Sequence, residues 1–160
     1  MVNNLENQLE DFIIKNREPF YRLAYSYVKN VDDSLDVVQE SIYKAFSSID
    51  SLKDFGYIKI WFYRIVVNVS LDLLRKKKRE IITDEDFLLA NDTGTIDNYA
   101  DIDLENALES LPEDYRSIIV LRFFEDLKLE EIAVILEKNI STVKTRLYKG
   151  LEMLRISMDD

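Results

Sequence analysis

Apolar residues recur every three or four positions along most of the chain, which is the spacing of an amphipathic helix. In the first half, three such repeats cover residues 5–13, 20–28 and 35–46. The polar residues 30–33 separate the second repeat from the third, and we expect an aspartate there to cap the third helix. A looser polar stretch, residues 47–57, follows. The pattern therefore predicts three helices before residue 47.

Residues 58–74 are rich in β-branched side chains, which favour strands. A strand of this length would be unusually long, and the apolar positions fit the helical period better than strict alternation. We therefore predict a fourth helix that ends in the basic residues 75–79, where positive charges suit a helix C-terminus. Its apolar positions are Ile58, Trp61, Phe62, Ile65, Val66, Val69 and Leu73.

The second half shows the same spacing in shorter segments. Residues 104–111 predict a short helix, and Pro112 fits the first turn of the next one. Further helices are predicted at residues 129–136 and 141–158. The apolar face of the helix after Pro112 is expected at Tyr115, Ile118, Ile119 and Phe123.

The amino-acid composition limits both the folds that the chain can adopt and the chemistry that it can perform. The 160 residues include only 3 glycines and 2 prolines, which disfavours turn-rich β-folds, and 47% are apolar, enough for a core. We therefore predict an all-α fold. The lack of cysteine excludes disulfides and thiolate chemistry, and the lack of histidine removes the commonest general base and metal ligand. Catalysis would then have to rest on carboxylates, lysine, tyrosine or hydroxyls, so the composition disfavours an enzyme but leaves one possible.

The net charge of −10 is concentrated in one segment. Residues 81–107 carry eight acidic side chains and no basic one, whereas the flanking halves are nearly neutral. This predicts two small helical modules, residues 1–80 and 101–160, joined by a flexible acidic linker at residues 81–100. Residues 75–79 and 138–151 lack acidic side chains and carry clusters of cations. The overall charge therefore does not exclude a nucleic-acid partner.

The chain shows no sign of targeting to a membrane. Its first residues lack the basic and apolar regions of a secretory signal, and its apolar stretches are too short to span a bilayer. We expect a cytoplasmic protein with no membrane insertion of its own.

Residues 129–147 have the pattern of a helix-turn-helix. Ile132 and Leu136 are expected in the core, and small Ala133 where the two helices cross. We expect Ser141 to cap the second helix and Val143 and Leu147 to seat it.

The other face of that second helix would carry Lys144, Thr145, Tyr148 and Lys149, a basic and hydroxyl-bearing surface suited to a DNA major groove. Glu137 occupies the turn position where glycine is frequent, so we expect Asn139 to supply the left-handed residue. The alternative is an ordinary helical hairpin with a solvated basic face.

Two further segments are candidates for binding. In residues 55–68, aromatic side chains alternate with cations upstream of the basic run, a combination suited to single-stranded nucleic acid. The alternative is that Trp61, Phe62 and Ile65 simply form core. An acidic strip could hold a divalent metal or a basic partner, although carboxylates on a helix are usually only solvated. It comprises Asp32, Asp33, Asp36 and Glu40.

Four blocks of the sequence, taken together, resemble the extracytoplasmic-function (ECF) sigma factors in order and spacing. The blocks are residues 33–40 (DSLDVVQE), 61–68 (WFYRIVVN), 111–116 (LPEDYR) and 131–147, which contains EIA and STVKTRL. Residues 20–29 and 121–129 look like the sigma-V-like group in particular. The resemblance covers nearly the whole chain. It implies a sigma-2-like bundle and a sigma-4-like helix-turn-helix domain, which bind core RNA polymerase and direct initiation by reading the −35 duplex and the melted −10 strand.

The resemblance also implies roles for individual residues. Contact with the β′ clamp helices of polymerase is expected at Asp33, Asp36, Gln39 and Glu40. Binding of the −10 strand, including capture of a flipped base by a loop, is expected at Leu52, Lys53, Asp54, Asn68, Asp72, Arg75 and Lys76. Binding of the −35 duplex is expected at Ser141, Thr142, Lys144, Thr145, Arg146, Tyr148 and Lys149.

Two positions depart from the family pattern. Leu52 stands where many members have an aromatic residue, and Ser141 where glycine is frequent. The implied partners are core RNA polymerase (β′ and β subunits), promoter DNA and a membrane-anchored anti-sigma factor. The resemblance also implies a protein that is not an enzyme, with no catalytic residue, cofactor or metal.

Three other functions stay open from the sequence. A stand-alone helix-turn-helix regulator would bind duplex DNA without polymerase, usually as a dimer. A helical carboxylate enzyme would need a divalent metal at Asp36 and Glu40. A pure protein-interaction module, such as an anti-sigma partner, is the third. The order and spacing of the four blocks favour the sigma factor over all of them.

Overall fold

The computed structural model describes residues 4–83 and 106–159, and all regular structure in these two ranges is helical. The all-α prediction is confirmed. We call residues 4–83 the first module and residues 106–159 the second. The acidic segment, residues 84–105, lies outside the described residues. In the described ranges, no helix combines the length and the apolar character that crossing a membrane requires.

The first module consists of four helices, with two short 3-10 turns before the last. Its helices are α1 (Asn4–Lys15), α2 (Arg17–Val28), α3 (Val31–Ser47) and α4 (Ile58–Thr83), and its turns are Ile49–Ser51 and Phe55–Tyr57.

Two details of this module differ from the prediction. The cap of α3 is Asn30, whose side chain accepts a 2.9 Å hydrogen bond from the backbone N–H of Asp33. An aspartate cap was therefore the wrong expectation. Helix α4 also continues to Thr83, so the basic residues 75–79 lie within the helix and not at its end.

The second module begins with a helical turn at residues 106–110, preceding Pro112. Its longer elements are α5 (Glu113–Ile119), which continues as a π-helix (Val120–Phe124), α6 (Leu129–Leu136) and α7 (Ile140–Asp159).

Three predictions at the helix ends and faces of this module were wrong. Pro112 is the cap residue before α5 and not part of its first turn. Phe123 is 57% exposed, because the wider π-helical turn rotates it off the apolar face. Asn139 caps α7 by accepting a 2.8 Å hydrogen bond from the N–H of Thr142, so the helix begins before Ser141. Ser141 is therefore not the cap.

The left-handed residue in the helix-turn-helix is Glu137, with φ 55°, and not Asn139. Its backbone ends α6, and the N–H of Lys138 donates to the carbonyl of Ala133 at 3.0 Å. Such a closure of orphan carbonyls is typical of a left-handed helix end.

The core of the first module is built on stacked aromatic rings. Phe20 and Phe62 stack with centroids 4.3 Å apart, and Phe12 and Tyr63 pack against this pair. Trp61 is half-buried and donates to the hydroxyl of Ser51 at 3.1 Å. Phe62 is therefore a core residue, which agrees with the alternative interpretation that the aromatic residues of this segment form core.

The two modules pack against each other around one continuous core. Helix α2 contacts α5, and α4 contacts α6. Buried Leu121, Ile132 and Val143 of the second module belong to the same hydrophobic cluster as Phe20 and Phe62 of the first. Sequence periodicity predicted each module but not this closed arrangement.

Candidate nucleic-acid and polymerase-binding surfaces

The helix-turn-helix is formed by α6 and α7. The two helices contact each other, and Ile132, Ala133, Val143 and Leu147 are all buried. Gly150 lies where α7 approaches α5, since a Cβ there would stand 3.2 Å from the Cβ of Tyr115. Helix α7 is therefore held on two sides.

The outer face of α7 gathers the residues predicted for the −35 element. Ser141, Lys144, Thr145, Tyr148 and Lys149 are exposed, with Tyr148 at 66%. Thr142 and Arg146 are half-buried beside them, and they share an open hollow with Tyr115 and Lys149. This surface combines three cations with hydroxyls, which are groups that contact phosphates and base edges.

The residues predicted for the −10 strand lie on α4 and on the loop before it. Asn68, Asp72, Arg75 and Lys76 are exposed along α4, and Arg75 pairs with Asp72 at 3.0 Å. Asn68 shares a hollow with Lys44, Ser47 and Ser48 at the end of α3. The structure thus brings these α4 residues to one edge of the first module.

The loop residues of the predicted −10 site have different environments. Leu52 is 5% exposed and belongs to the core, whereas Lys53 and Asp54 are exposed. Asp54 also accepts a 2.9 Å hydrogen bond from the N–H of Gly56, which caps the second 3-10 turn. Of the three loop residues predicted for this site, Lys53 and Asp54 therefore present their side chains on the surface.

The acidic strip lies on the outer face of α3. Asp32, Asp36, Gln39 and Glu40 are exposed, while Asp33 forms an ion pair with Lys77 of α4. Within residues 4–83 and 106–159, no three carboxylates come together in a group able to hold a metal.

Apolar side chains accompany these carboxylates on α3. Leu35 and Phe46, the first and last apolar residues of the 35–46 repeat, are 40% and 38% exposed and so do not lie on the buried face of α3. Tyr43, 69% exposed, lies on the same helix. Exposed apolar residues among charges are typical of a protein-contact surface. Leu35, Tyr43 and Phe46 recur at helical spacing on the same helix as Asp36, and this spacing is the signal in the sequence that could have indicated their exposure.

Sequence reasoning missed the charged residues between the modules. Arg116 of α5 is buried and donates to the carbonyl of Ser26 in α2, and also to the carbonyl of Leu111 at 2.6 Å. Burial lowers the pKa of Arg116 below its ordinary value. No apolar period marks such a residue, because a buried cation and a solvated one look alike in a sequence.

Glu125 is a second buried charged residue between the modules. It accepts a 2.8 Å hydrogen bond from the Tyr63 hydroxyl, and the Arg22 guanidinium lies 3.4 Å from its other oxygen. Burial raises the pKa of Glu125, and burial beside this carboxylate raises the pKa of Tyr63. Nearby, Arg64 forms an exposed ion pair with Glu137. We call these pairs, Arg116–Ser26, Tyr63–Glu125, Arg22–Glu125 and Arg64–Glu137, the module interface.

Comparison with known proteins agrees with both modules. Residues 12–80 match Sigma-70 region 2, and residues 101–154 match Sigma-70, region 4. A bundle with region 2 followed by a helix-turn-helix with region 4 defines a sigma factor, and a stand-alone helix-turn-helix regulator is not favoured. Among solved structures, the sigma factor RpoE of Bartonella quintana, crystallised with the anti-sigma factor NepR, has the same fold. Its TM-score is 0.82 at 21% identity, covering 95% of this chain and 97% of that one.

Two sequence relatives place the chain more narrowly. It is 51% identical to RNA polymerase sigma factor SigV of Bacillus subtilis over 146 residues, which cover 91% of this chain and 88% of SigV. It is 30% identical to the ECF RNA polymerase sigma factor SigW of the same species, covering 97% and 91%. The chain therefore belongs to the ECF RNA polymerase sigma factors, and it acts in promoter-specific transcription initiation. The resemblance seen in its motifs is confirmed.

Proposed function

We propose that the outer face of α7 binds the −35 duplex in its major groove. The observation that carries this assignment is the exposed basic face of a helix-turn-helix whose second helix is held by Val143 and Leu147. Lys144, Thr145, Tyr148 and Lys149 would contact base edges and phosphates, supported by Ser141, Thr142 and Arg146.

The first module is proposed to bind the unpaired −10 strand. Lys53 and Asp54 on the loop, with Asn68 and Asp72 on α4, would contact a flipped base and its neighbours. Arg75 and Lys76 would pair with the backbone phosphates. Leu52 would support this loop from beneath, since its side chain belongs to the core.

Helix α3 is proposed to bind the β′ clamp helices of core polymerase. Asp36, Gln39 and Glu40 supply exposed polar groups, and Leu35, Tyr43 and Phe46 supply apolar area beside them. A contact with an apolar centre and a charged rim is typical of protein interfaces. Asp33 would contribute at the edge of this surface, where it is tied to Lys77.

The wider biological setting is also a proposal. We assign residues 1–80 and 101–160 as the two functional modules, with residues 81–100 as the connecting linker. The protein would work in the cytoplasm with core polymerase, including its β subunit, and without covalent chemistry of its own. An anti-sigma factor, membrane-anchored as the sequence resemblance implies, would hold it inactive. The complex of the similar sigma factor RpoE with NepR supports an anti-sigma factor as a partner.

Matched charge substitutions test the two main surfaces. For the −35 face, Lys144→Ala is compared with Lys128→Ala, an exposed lysine outside α7, in promoter binding by the holoenzyme. We expect Lys144→Ala to weaken binding about tenfold and Lys128→Ala to change it little. Equal binding by the two variants would contradict the assignment of α7.

For the polymerase surface, Asp36→Arg is compared with Glu10→Arg, an equal charge change on the exposed side of α1. We expect the affinity for core polymerase to fall at least tenfold for Asp36→Arg only, because a reversed charge is placed within the contact. Unchanged affinity would exclude α3 as the docking helix.

A further inference from the structure

A cavity of about 570 Å³ lies beside the end of α2, where this helix faces the start of the second module. Its volume is in the range of sites that hold small organic molecules, which are mostly apolar with a few polar groups placed among the apolar ones. Exposed Tyr25 and Phe124 in its wall leave it accessible from solvent. Leu108 and Val120 add further apolar surface.

Three cations line the same cavity, Arg22, Lys29 and Arg116, whereas Glu109 is the one carboxylate among its described lining residues. Arg22 is paired with Glu125 at 3.4 Å. None of the ion pairs formed within the described residues includes Lys29 or Arg116. Cations removed from water are normally paired with an opposite charge. Two positive charges of the cavity wall are therefore without a direct counter-ion in this part of the chain.

Backbone carbonyls hold these two cations in place. Lys29 and Arg116 both donate to the carbonyl of Glu109, Arg116 at 3.4 Å. Arg116 also donates through Nε to the carbonyl of Ser26 and through Nη1 to that of Leu111. None of these bonds uses the Nη2 amino group of Arg116, and Lys29 has three N–H donors. The remaining donors suit the oxygens of an anionic group.

The electrostatics of the two cations favour an added negative charge. Burial lowers the pKa of Lys29 and the positive charge of Arg116 lowers it further, while Glu109 and Glu113 act in the opposite direction. Burial likewise lowers the pKa of Arg116. A lowered pKa means that the charged form of a cation is disfavoured in its surroundings. An anion beside both groups would stabilise their charged forms.

The backbone is unusual on both sides of the cavity. Lys29 ends α2 in the left-handed conformation, with φ 55°, at a position where glycine is the usual residue. Val120 and Phe124 are the first and last residues of the π-helix, and the N–H of Glu125 donates to the Val120 carbonyl at 3.0 Å. Left-handed residues other than glycine and π-helical turns are both frequent at functional sites. Both occur here in the wall of one cavity.

We propose that this cavity is a binding site for a small organic anion. Its carboxylate, phosphate or sulfonate head binds at Lys29 and Arg116. Its apolar body packs against Leu108, Val120 and Phe124. The proposal does not depend on the DNA-binding and polymerase-binding roles proposed above, so its failure would leave those roles intact.

Probes of opposite charge test the head group in the full chain. Decanoate and decylammonium have chains of equal length, and two-dimensional NMR of the backbone amides gives both the affinity and the location of each probe. We expect decanoate to shift the amides of residues 22–29 and 116–124, and to bind about tenfold more tightly than decylammonium. Equal affinities, or shifts spread over the whole chain, would overturn the proposal.

A second carboxylate distinguishes the two kinds of apolar body. 2-Naphthoate carries the head group of decanoate on a flat aromatic body, and it is titrated in the same way. Tighter binding of decanoate would support an acyl chain as the body of the ligand, and tighter binding of 2-naphthoate would support an aromatic ring. Binding of neither carboxylate at the cavity would contradict the site itself.

Matched lysine variants test the site within the protein. Lys29→Asn removes the charge and keeps a residue that tolerates the left-handed conformation, whereas Lys15→Asn removes an exposed lysine at the end of α1. We expect Lys29→Asn to weaken decanoate binding about tenfold and Lys15→Asn to change it little. Equal affinities of the two variants would count against the site.

A third variant tests the cavity without altering a charge. Leu108→Trp places a larger side chain in the wall, and we expect it to abolish binding of both carboxylates. Circular dichroism checks that this variant keeps its helices. Binding by folded Leu108→Trp at the wild-type affinity would exclude the cavity as the location of the ligand. If this variant does not fold, the comparison of Lys29→Asn with Lys15→Asn still decides the proposal.

Discussion

The hydroxyl of Tyr63 donates a 2.8 Å hydrogen bond to the buried carboxylate of Glu125, and this bond joins helix α4 of the first module to the loop before the helix-turn-helix. A tyrosine of the module proposed to bind the −10 strand thus contacts the module proposed to bind the −35 element. The contact connects two modules that the sequence pattern predicts as separate. Substitutions of Tyr63 or Glu125 therefore test how much this contact contributes to stability.

Removing this hydroxyl should destabilise the folded chain. Tyr63→Phe leaves the Glu125 carboxylate buried with one donor fewer, and we expect a loss of about 1–3 kcal/mol in the free energy of unfolding measured with urea. Tyr43→Phe is the control, because Tyr43 is 69% exposed. Equal stability of the two variants would show that the bond to Glu125 contributes nothing.

The pH dependence of stability should report on Glu125. Burial raises its pKa above the ordinary 4.5, while Tyr63, Arg22 and Lys59 act in the opposite direction. An acid with a raised pKa favours the folded state fully below pH 4.5, and this contribution is lost as the pH rises through the raised pKa. We therefore expect wild type to lose stability relative to Glu125→Gln, which cannot ionise, as the pH rises above 4.5. A difference between the two proteins that does not vary with pH would contradict this account.

Leu52 should behave as a core residue. Its side chain is 5% exposed, so Leu52→Ala is expected to lower the free energy of unfolding by about 2–4 kcal/mol. The adjacent Lys53→Ala should change it by less than about 0.5 kcal/mol, because Lys53 is exposed. Thermal or urea unfolding of both variants provides the comparison. A destabilisation by Leu52→Ala as small as that by Lys53→Ala would mean that this loop is not anchored as described.

The ion pair of Asp33 with Lys77 should connect the start of α3 to the basic part of α4. Both side chains are partly buried, with 16% and 34% exposed. A double-mutant cycle with Asp33→Asn and Lys77→Gln should give a coupling energy of about 0.5–1 kcal/mol in urea unfolding. The more exposed pair Asp72–Arg75 provides the matched cycle, for which we expect a smaller value. A larger coupling energy for Asp72–Arg75 than for Asp33–Lys77 would contradict the expectation that the more buried pair contributes more to stability.

Strong periodicity made much of the fold predictable. The apolar positions of α4 fitted a helix despite many β-branched residues, and Phe62 and Val66 are indeed fully buried. The seating of α7 by Val143 and Leu147 followed from the same spacing. In these segments one face is consistently apolar, so the helical period alone determines which residues face the core.

Predictions failed where neighbouring residues compete for the same structural position, such as a helix cap or a place on the apolar face. Asn30 and Asn139 cap their helices although aspartate and serine nearby are also good caps. Phe123 is exposed because a π-helical turn changes the phase of the apolar pattern. These outcomes depend on energy differences of about 1 kcal/mol between adjacent registers, which a single sequence does not resolve.

The packing of the modules on each other was not predictable from the pattern. Arg116 and Glu125 are charged residues whose burial depends on distant partners, Ser26 and Tyr63. A periodic pattern records which face of a helix is apolar but not which distant polar group meets it. The charged residues of the module interface therefore became visible only in the three-dimensional structure.

Promoter-specific initiation is the central claim, and mapping of transcript start sites tests it most directly. Purified core polymerase is supplied with a genomic DNA template, with and without the full chain, and the 5′ ends of the transcripts are sequenced. We expect a small set of new start sites that share one −35 and one −10 sequence, and their loss when Lys144→Ala replaces wild type. Start sites that are unchanged by adding the chain would contradict the account.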